Sequence, residues 1–317
     1  MNDSVAGIEH EAVTAWILEH VADISAPLTF TLIAGGHSNL TYRFVDAAGR
    51  AGVLRRPPLG HVLESAHDMS REHRIVSALQ GSAVPVAKTL GLCEDPAVNQ
   101  APFYLMDFVE GAVLHDADAA RHLSAAEKIS LGHHVIDVLA ALHQINPDDV
   151  CLGELGRKEG YLARQLKRWI KQWEATKTHE IEEMDEVIRL LSGGQPEQIG
   201  TAIVHGDYRL GNFIVGDGKL RAVLDWELCT LGDPLADVGY LLNSWVEPED
   251  AGTGMTPVEV GGFPGKAQLC ERYEAATGRD LSQINYYRAF SHWRLAAIGQ
   301  GVYKRYLVGA MGDNTVD

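Results

Sequence analysis

The chain is 317 residues long, 46% hydrophobic by residue type, and carries 27 basic against 43 acidic side chains, for a net charge of −16. That length exceeds what one hydrophobic core usually serves, so two lobes are expected, and the acidic balance argues against nucleic acid as a partner. No apolar run reaches membrane-spanning length, and Cys93, Cys151, Cys229 and Cys270 are scattered without paired or metal-type spacing, so a soluble, cytoplasmic protein with reduced thiols is expected.

The start, Met1-Asn2-Asp3-Ser4, lacks the basic-then-apolar pattern of an export signal. From His10 to about Ala22, Val13, Trp16, Ile17 and Val21 share one face and predict a helix. Three strands of a meander follow, at Leu28 to Ala34, Asn39 to Val45 and Gly52 to Arg56. The first turn between them, Ala34-Gly35-Gly36-His37-Ser38-Asn39, is glycine-rich and polar. Glycines let backbone N–H groups approach phosphates closely, so Gly35, Gly36 and Ser38 are nucleotide-loop candidates; a plain hairpin is the alternative. A helix from about Ala66 to Leu79 holds Ile75, Val76 and Leu79 on its core face. Pro102 to Gly111 then reads as a buried strand that breaks at its glycine.

Most of the remainder is expected to be helical. Ser124-Ala125-Ala126-Glu127 is a capping box. It opens a helix whose apolar face is Val135, Val138, Leu139, Leu142 and Ile145, ending before Pro147. His143 lies near that face and is expected as a hydrogen-bonded core histidine rather than a ligand. A second helix, Gly160 to Thr176, buries Tyr161, Leu162, Leu166, Trp169, Ile170 and Trp173. Its other side carries Arg164, Lys167, Arg168 and Lys171, a face either solvated or used by a phosphorylated substrate. A third helix covers about Glu180 to Leu191. The β-branched run Thr201 to Val204 predicts a strand leading into His205, and Phe213 to Val215 a second one. Gly216-Asp217-Gly218-Lys219 is a hairpin turn, and Leu220 to Leu224 form the returning strand that delivers Asp225. Asn212 and Asp225 thus flank one hairpin and can meet at a shared metal. Asp233-Pro234 starts a further helix with Asp237 in its first turns. Glu247 to Phe263 is rich in Gly and Pro, either a lid over an acceptor site or an ordinary surface excursion. Helices from about Lys266 to Ala276, stopped by Gly278, and from Ser282 to Leu307 complete the chain.

The chemistry is concentrated in His205-Gly206-Asp207-Tyr208-Arg209-Leu210-Gly211-Asn212, followed by Leu224-Asp225-Trp226-Glu227. ATP-dependent phosphoryl transfer needs a base beside the acceptor hydroxyl and oxygen ligands for Mg²⁺ on the phosphates. Two carboxylates and an amide supply those groups. The protein-kinase pattern is H-R-D-L-x-x-x-N followed by D-F-G. Asp207, Asn212 and Asp225 keep its order, but Gly206 replaces the arginine and Asp225-Trp226-Glu227 replaces D-F-G. With those two departures the chain resembles the aminoglycoside phosphotransferase and choline kinase superfamily, with its H-G-D-x-x-x-x-N and D-W/F-E/G signatures. No A-P-E segment follows Asp225, which argues against a protein substrate.

The resemblance implies an α+β, protein-kinase-like bilobal fold. A small antiparallel-sheet lobe would span residues 1–109 and a larger, mostly helical lobe 110–317, with ATP or GTP and Mg²⁺ between them. It implies Asp207 as the catalytic base, Arg209 in the same loop as a second catalytic candidate, and Asn212 and Asp225 as metal ligands. Arg55, ending Val53-Leu54-Arg55, stands where the kinase fold carries its V-A-I-K lysine, with Glu72 as the partner. Arg56 is the rival if the strand register differs, and Glu72 judged alone reads equally as a surface acid. Backbone groups from Asp107 to Val109 would bond adenine, with Met106 lining that pocket. Leu231 to Tyr240 also resembles the superfamily, in which the residue matching Asp237 braces the catalytic loop. The tail from Tyr286 to Ile298 resembles the kinase-like domains sometimes fused to acyl-CoA dehydrogenases, which sets hydroxyacyl compounds beside aminocyclitol antibiotics as acceptors. Two functions stay open at this point. One is transfer of the γ-phosphoryl group of ATP to a hydroxyl of a small molecule. The other is nucleotide binding without turnover, which Arg55 in place of lysine makes plausible.

Overall fold

The computed structural model describes residues 5–34, 39–60, 68–247, 250 and 256–308. They divide into two compact units. The first comprises Met1–Ala112 with Phe213–Gly216 and Leu220–Glu227; the second comprises Val113–Asn212, Asp217–Lys219 and Leu228–Asp317.

In the first unit, helix α1 (His10–His20) precedes strands β1 (Thr29–Ala34), β2 (Leu40–Val45) and β3 (Ala51–Arg56). Helix α2 (Met69–Leu79), β4 (Thr89–Cys93), the one-turn helix α3 (Pro96–Asn99) and β5 (Phe103–Asp107) follow. The strands form one antiparallel sheet in the order β1-β2-β3-β5-β4. Because successive side chains alternate, β2 sends Leu40, Tyr42 and Phe44 to one face. There they pack with Leu54, Phe103 and Leu105 against Val13 and Ile17 of α1. Val53, Tyr104 and Met106 occupy the opposite face, packed with Met69 of α2. The two-residue period of β3 therefore puts Arg55 on the α2 face with Val53, and Arg56 on the α1 face with Leu54. Asp68 starts α2 as its N-cap, accepting from the Arg71 amide at 2.9 Å.

After β6 (Ala112–Val113) come α4 (Ala117–Ala120), α5 (Ala125–Gln144), α6 (Tyr161–Thr176) and α7 (Glu182–Gly193). Then follow β7 (Ala202–Val204), β8 (Phe213–Gly216), β9 (Lys219–Val223), β10 (Thr230–Gly232), α8 (Leu235–Ser244), α9 (Lys266–Thr277) and α10 (Ile284–Leu307). The capping box of α5 has both halves formed between Ser124 and Glu127. Asp217 and Gly218 have φ of 54° and 65°, the paired positive values of a type I′ turn, and they close the β8–β9 hairpin. That hairpin joins β6 in a three-stranded sheet. In the second unit Leu166 and Trp173 of α6, Met184 and Leu191 of α7, and Phe290 and Trp293 of α10 share a core. Trp169 and Ile170 are only partly buried at its edge. No helix among the described residues is long and apolar enough to cross a membrane.

Candidate active site

The second unit builds one polar cluster on a braced loop. Strand β7 is held antiparallel to β10, with Ile203 opposite Leu231, and the chain leaves it at His205. Gly206 turns with φ of 89°, and a Cβ there would meet the Cβ and carbonyl oxygen of Leu228 at 3.0 Å. Glycine is required on both counts, which explains its presence where protein kinases carry arginine. The amides of His205 and Gly206 donate to the Asp237 carboxylate at 2.6 and 2.8 Å. His143 of α5 lies behind it, with Nε2 3.3 Å from Asp237 and Nδ1 2.8 Å from the Tyr273 hydroxyl. Burial pushes the His143 pKa down, so the ring is a neutral hydrogen-bonding group, the core histidine expected from its position. Burial alone would push Asp237 up, but His143 and the loop amide hold its carboxyl below the ordinary range. Asp237 is thus a buried acceptor for two amides that have no substitute. Asp237→Ala is expected to cost about 3 kcal/mol or more of stability. Chemical denaturation measures this, and a loss under about 1 kcal/mol would remove Asp237 as the brace.

On this loop the Asp207 side chain is 19% exposed. Asn212, at the end of a 3-10 turn, donates through Nδ2 to the Asp207 carbonyl at 2.9 Å and to its Oδ2 at 2.7 Å. Because the NH₂ group is committed inward, the Asn212 amide oxygen remains as an acceptor; it receives no hydrogen bond among the described residues. Arg209 Nε lies 3.3 Å from Asp207 Oδ1. The Tyr240 phenol of α8 lies near Asp207; burial first, and then that carboxylate, push its pKa up. Arg294 of α10 donates to the Gly206 carbonyl at 3.2 Å and lies over the Tyr240 ring.

A second cluster belongs to the first unit. Arg55 forks between two carboxylates, with Nε 2.8 Å from Glu72 Oε2 and Nη2 2.7 Å from Asp225 Oδ1. Its Nη1 donates to Thr41 at 3.3 Å. Glu72 is almost fully buried and accepts from Asn39 Nδ2 at 2.6 Å and the Tyr104 hydroxyl at 3.2 Å. Burial pushes the Glu72 carboxyl up while Arg55 pulls against it. Glu72 and Asp225 hold Arg55 charged despite its own burial. Arg56 instead donates to the carbonyls of Gly7 and Asn99 on the other side of the sheet. Asp225 has φ of 63°, a left-handed backbone uncommon outside glycine and characteristic of sites that aim a side chain.

At the end of β5, Met106 is buried on the Arg55 face of the sheet. The Asp107 amide donates to the Lys88 carbonyl at 2.8 Å, and its side chain pairs with Arg50 at 3.4 Å. The next amides, of Phe108 and Val109, donate to no backbone carbonyl among the described residues. Gly35, Gly36 and Ser38 lie outside the described residues, as do 248–249 and 251–255 of the Glu247–Phe263 segment. That segment's described ends are packed. Thr256 and Glu259 form a capping box on a 3-10 turn, and Phe263 meets Trp245 edge-on at 5.7 Å.

The structure thus groups Asp207, Arg209 and Asn212 in one unit, and Arg55, Glu72 and Asp225 in the other. Sequence reading missed Asn39, Tyr104, Tyr240 and Arg294. Only Asn39 carried a local signal, as a polar residue closing the glycine-rich turn. Among the described residues no group of three His, Cys, Asp or Glu side chains gathers to hold a metal alone.

A model of the phosphotransferase enzyme family (APH) matches residues 29–281. Mouse acyl-CoA dehydrogenase family member 10 is 37% identical over 298 residues, which are 92% of this chain but only 28% of that protein. The chain therefore spans less than a third of that relative's length. A solved Ralstonia eutropha structure, provisionally assigned as an aminoglycoside phosphotransferase, is 36% identical with a TM-score of 0.83, covering 96% of this chain and 91% of its own. The ternary complex of streptomycin, ATP and APH(2″)-IIa has a TM-score of 0.61 at 16% identity, over 96% of each chain. At that identity the likeness shows the shared kinase-like fold.

Proposed function

We infer that this chain, which belongs to the phosphotransferase enzyme family, moves the γ-phosphoryl group of ATP to a hydroxyl of a small molecule. GTP is the alternative donor, and the acceptor is aminoglycoside-like or hydroxyacyl in type. The observation that carries the reading is Asp207: a partly exposed carboxylate on a loop whose backbone is locked by Asp237, beside an amide oxygen left open on Asn212. Asp207 would take the acceptor hydroxyl's proton as the oxygen bonds to the γ-phosphorus and the bridging oxygen leaves with the nucleoside diphosphate. Arg55, held charged, would face the phosphates, and the unused amides of Phe108 and Val109 suit adenine. Asn212 and Asp225 present the oxygen chemistry that Mg²⁺ prefers, and two protein oxygens suffice for an ion that arrives with phosphates. When bound, Mg²⁺ neutralises charge on the transferring group. Four free cysteines fit a cytoplasmic setting.

A screen for nucleotide turnover with Mg²⁺ against hydroxylated metabolites and aminoglycosides tests this. Acceptor-dependent release of nucleoside diphosphate is expected. One observation favours a second reading, nucleotide binding without turnover: Arg55 occupies an oxygen of Asp225, the carboxylate a metal would need. Tight nucleotide binding with no turnover across the panel would select it. Under either reading Arg55→Ala is expected to weaken ATP binding about tenfold or more, while Arg56→Ala leaves it near the parent value. The reverse pattern, read by calorimetry, would mean that Arg56 meets the phosphates.

A further inference from the structure

Among the described residues, Arg294 is a cation without a counter-ion beside the proposed base. Its Nη2 donates to the Gly206 carbonyl at 3.2 Å and its guanidinium carbon lies 4.9 Å from the centre of the Tyr240 ring. The Nε atom is buried with no hydrogen-bond partner, and no carboxylate pairs with Arg294 among the described residues. Buried guanidinium N–H groups without acceptors are rare and unfavourable, so such a group needs a reason. The nearby acid is already engaged: Asp207 has Arg209, Asn212 and the Tyr240 hydroxyl around it. Arg294 thus lies over the Tyr240 ring, and Tyr240 is near enough to Asp207 for that carboxylate to act on its phenol. An acceptor whose hydroxyl reaches Asp207 would therefore bring its neighbouring groups towards Arg294.

A second observation lies on α6, which packs against α10. Arg164, Lys167, Arg168 and Lys171 stand at i, i+3, i+4 and i+7, one face of the helix. None of the four is ion-paired among the described residues, although the whole chain carries a net charge of −16. Tyr161, at the start of α6, is close enough to both Arg164 and Arg294 for each to act on its phenol. Asp237 and Asp233 act on the same phenol, so it is the basic face of α6 itself that would attract anions and repel polycations.

We propose that Arg294 binds an anionic group, carboxylate or phosphate, of the acceptor whose hydroxyl meets Asp207, so that the acceptor is an anionic hydroxy compound and not a polycationic aminoglycoside. The proposal rests on the phosphotransferase reading of Asp207 and specifies its substrate class. Arg294 is then a specificity-determining residue, half-exposed, whose accessible Nη groups would take the substrate anion.

The test uses matched acceptors: a homologous series of hydroxycarboxylates, the primary amide of each, phosphate-bearing alcohols, and an aminoglycoside. Steady-state kinetics are measured for the parent, Arg294→Gln and Arg294→Lys. The ¹⁵N resonance of the Arg294 Nε is followed in Asp207→Asn protein during titration with the same compounds. An anionic acceptor should be preferred over its amide by about tenfold or more in kcat/KM. Arg294→Gln should erase the preference through KM for the anion alone, Arg294→Lys should restore part of it, and the resonance should shift saturably with the anions. Equal use of acid and amide by the parent would overturn the proposal. So would an equal loss on both in Arg294→Gln, which would mark a role on the Gly206 loop. A panel in which no anion is turned over or moves the resonance overturns it as well. A resonance that answers to anions while no acceptor of any charge is phosphorylated supports the anion site and overturns the phosphotransferase reading instead.

Discussion

Asp207→Asn is expected to lower turnover by about two orders of magnitude or more while leaving ATP affinity close to the parent value. The substitution isolates basicity from geometry. An asparagine there keeps an oxygen that can accept from Asn212 Nδ2, and the loop amides remain bound to Asp237. What disappears is a group able to take the acceptor's proton. Near-parent turnover in a variant with parental thermal stability would remove Asp207 as the base.

Asp225→Ala should abolish the strengthening of ATP binding by Mg²⁺, because the phosphates lose their bridging ion. Asp225 sits at φ of 63° and bonds Arg55 Nη2 at 2.7 Å, so alanine also relieves one arm of the arginine's fork. Arg55 keeps Glu72 through Nε. Asp225→Asn is the informative companion, since asparagine tolerates the left-handed backbone as well as aspartate does. ATP titrations with and without Mg²⁺ should differ for the parent and coincide for both variants. A metal effect that survives in both would place the ion on other ligands.

What the sequence disclosed and what it withheld follow from the range of the interactions. Ser124 and Glu127 announced the start of α5 because a capping box is complete within one helical turn. Asp217-Gly218 announced its hairpin because positive φ is a local demand. The period of two along β3 put Arg55 and Arg56 on opposite faces but left open which of them meets Glu72; the contact with Arg55 emerges only in the folded sheet. By contrast, β4 escaped notice. Its residues Thr89 to Leu92 are only half-buried and its register slips beside Gly91, so the alternation that marks a strand is missing. β10 is three residues long and exists because β7 pairs with it.

The site shows the same division. The spacing of Asp207 and Asn212 is a short-range property, visible as a motif. The contacts that finish each cluster are not. Glu72 meets Asn39 across 33 positions and Tyr104 across 32, and Arg55 meets Asp225 across 170. Only folding of the sheet creates those pairs. Tyr240 and Arg294 carried no signal for the same reason. Each looks like an ordinary helix residue until α8 and α10 bring them to the Asp207 loop.

The most direct test of the central claim is to follow the label of γ-labelled ATP, with Mg²⁺, into a pool of hydroxylated metabolites. The account predicts label in a small-molecule phosphomonoester with the parent protein and little or none with Asp207→Asn. Label found only as inorganic phosphate, or equal product from the two proteins, would contradict it.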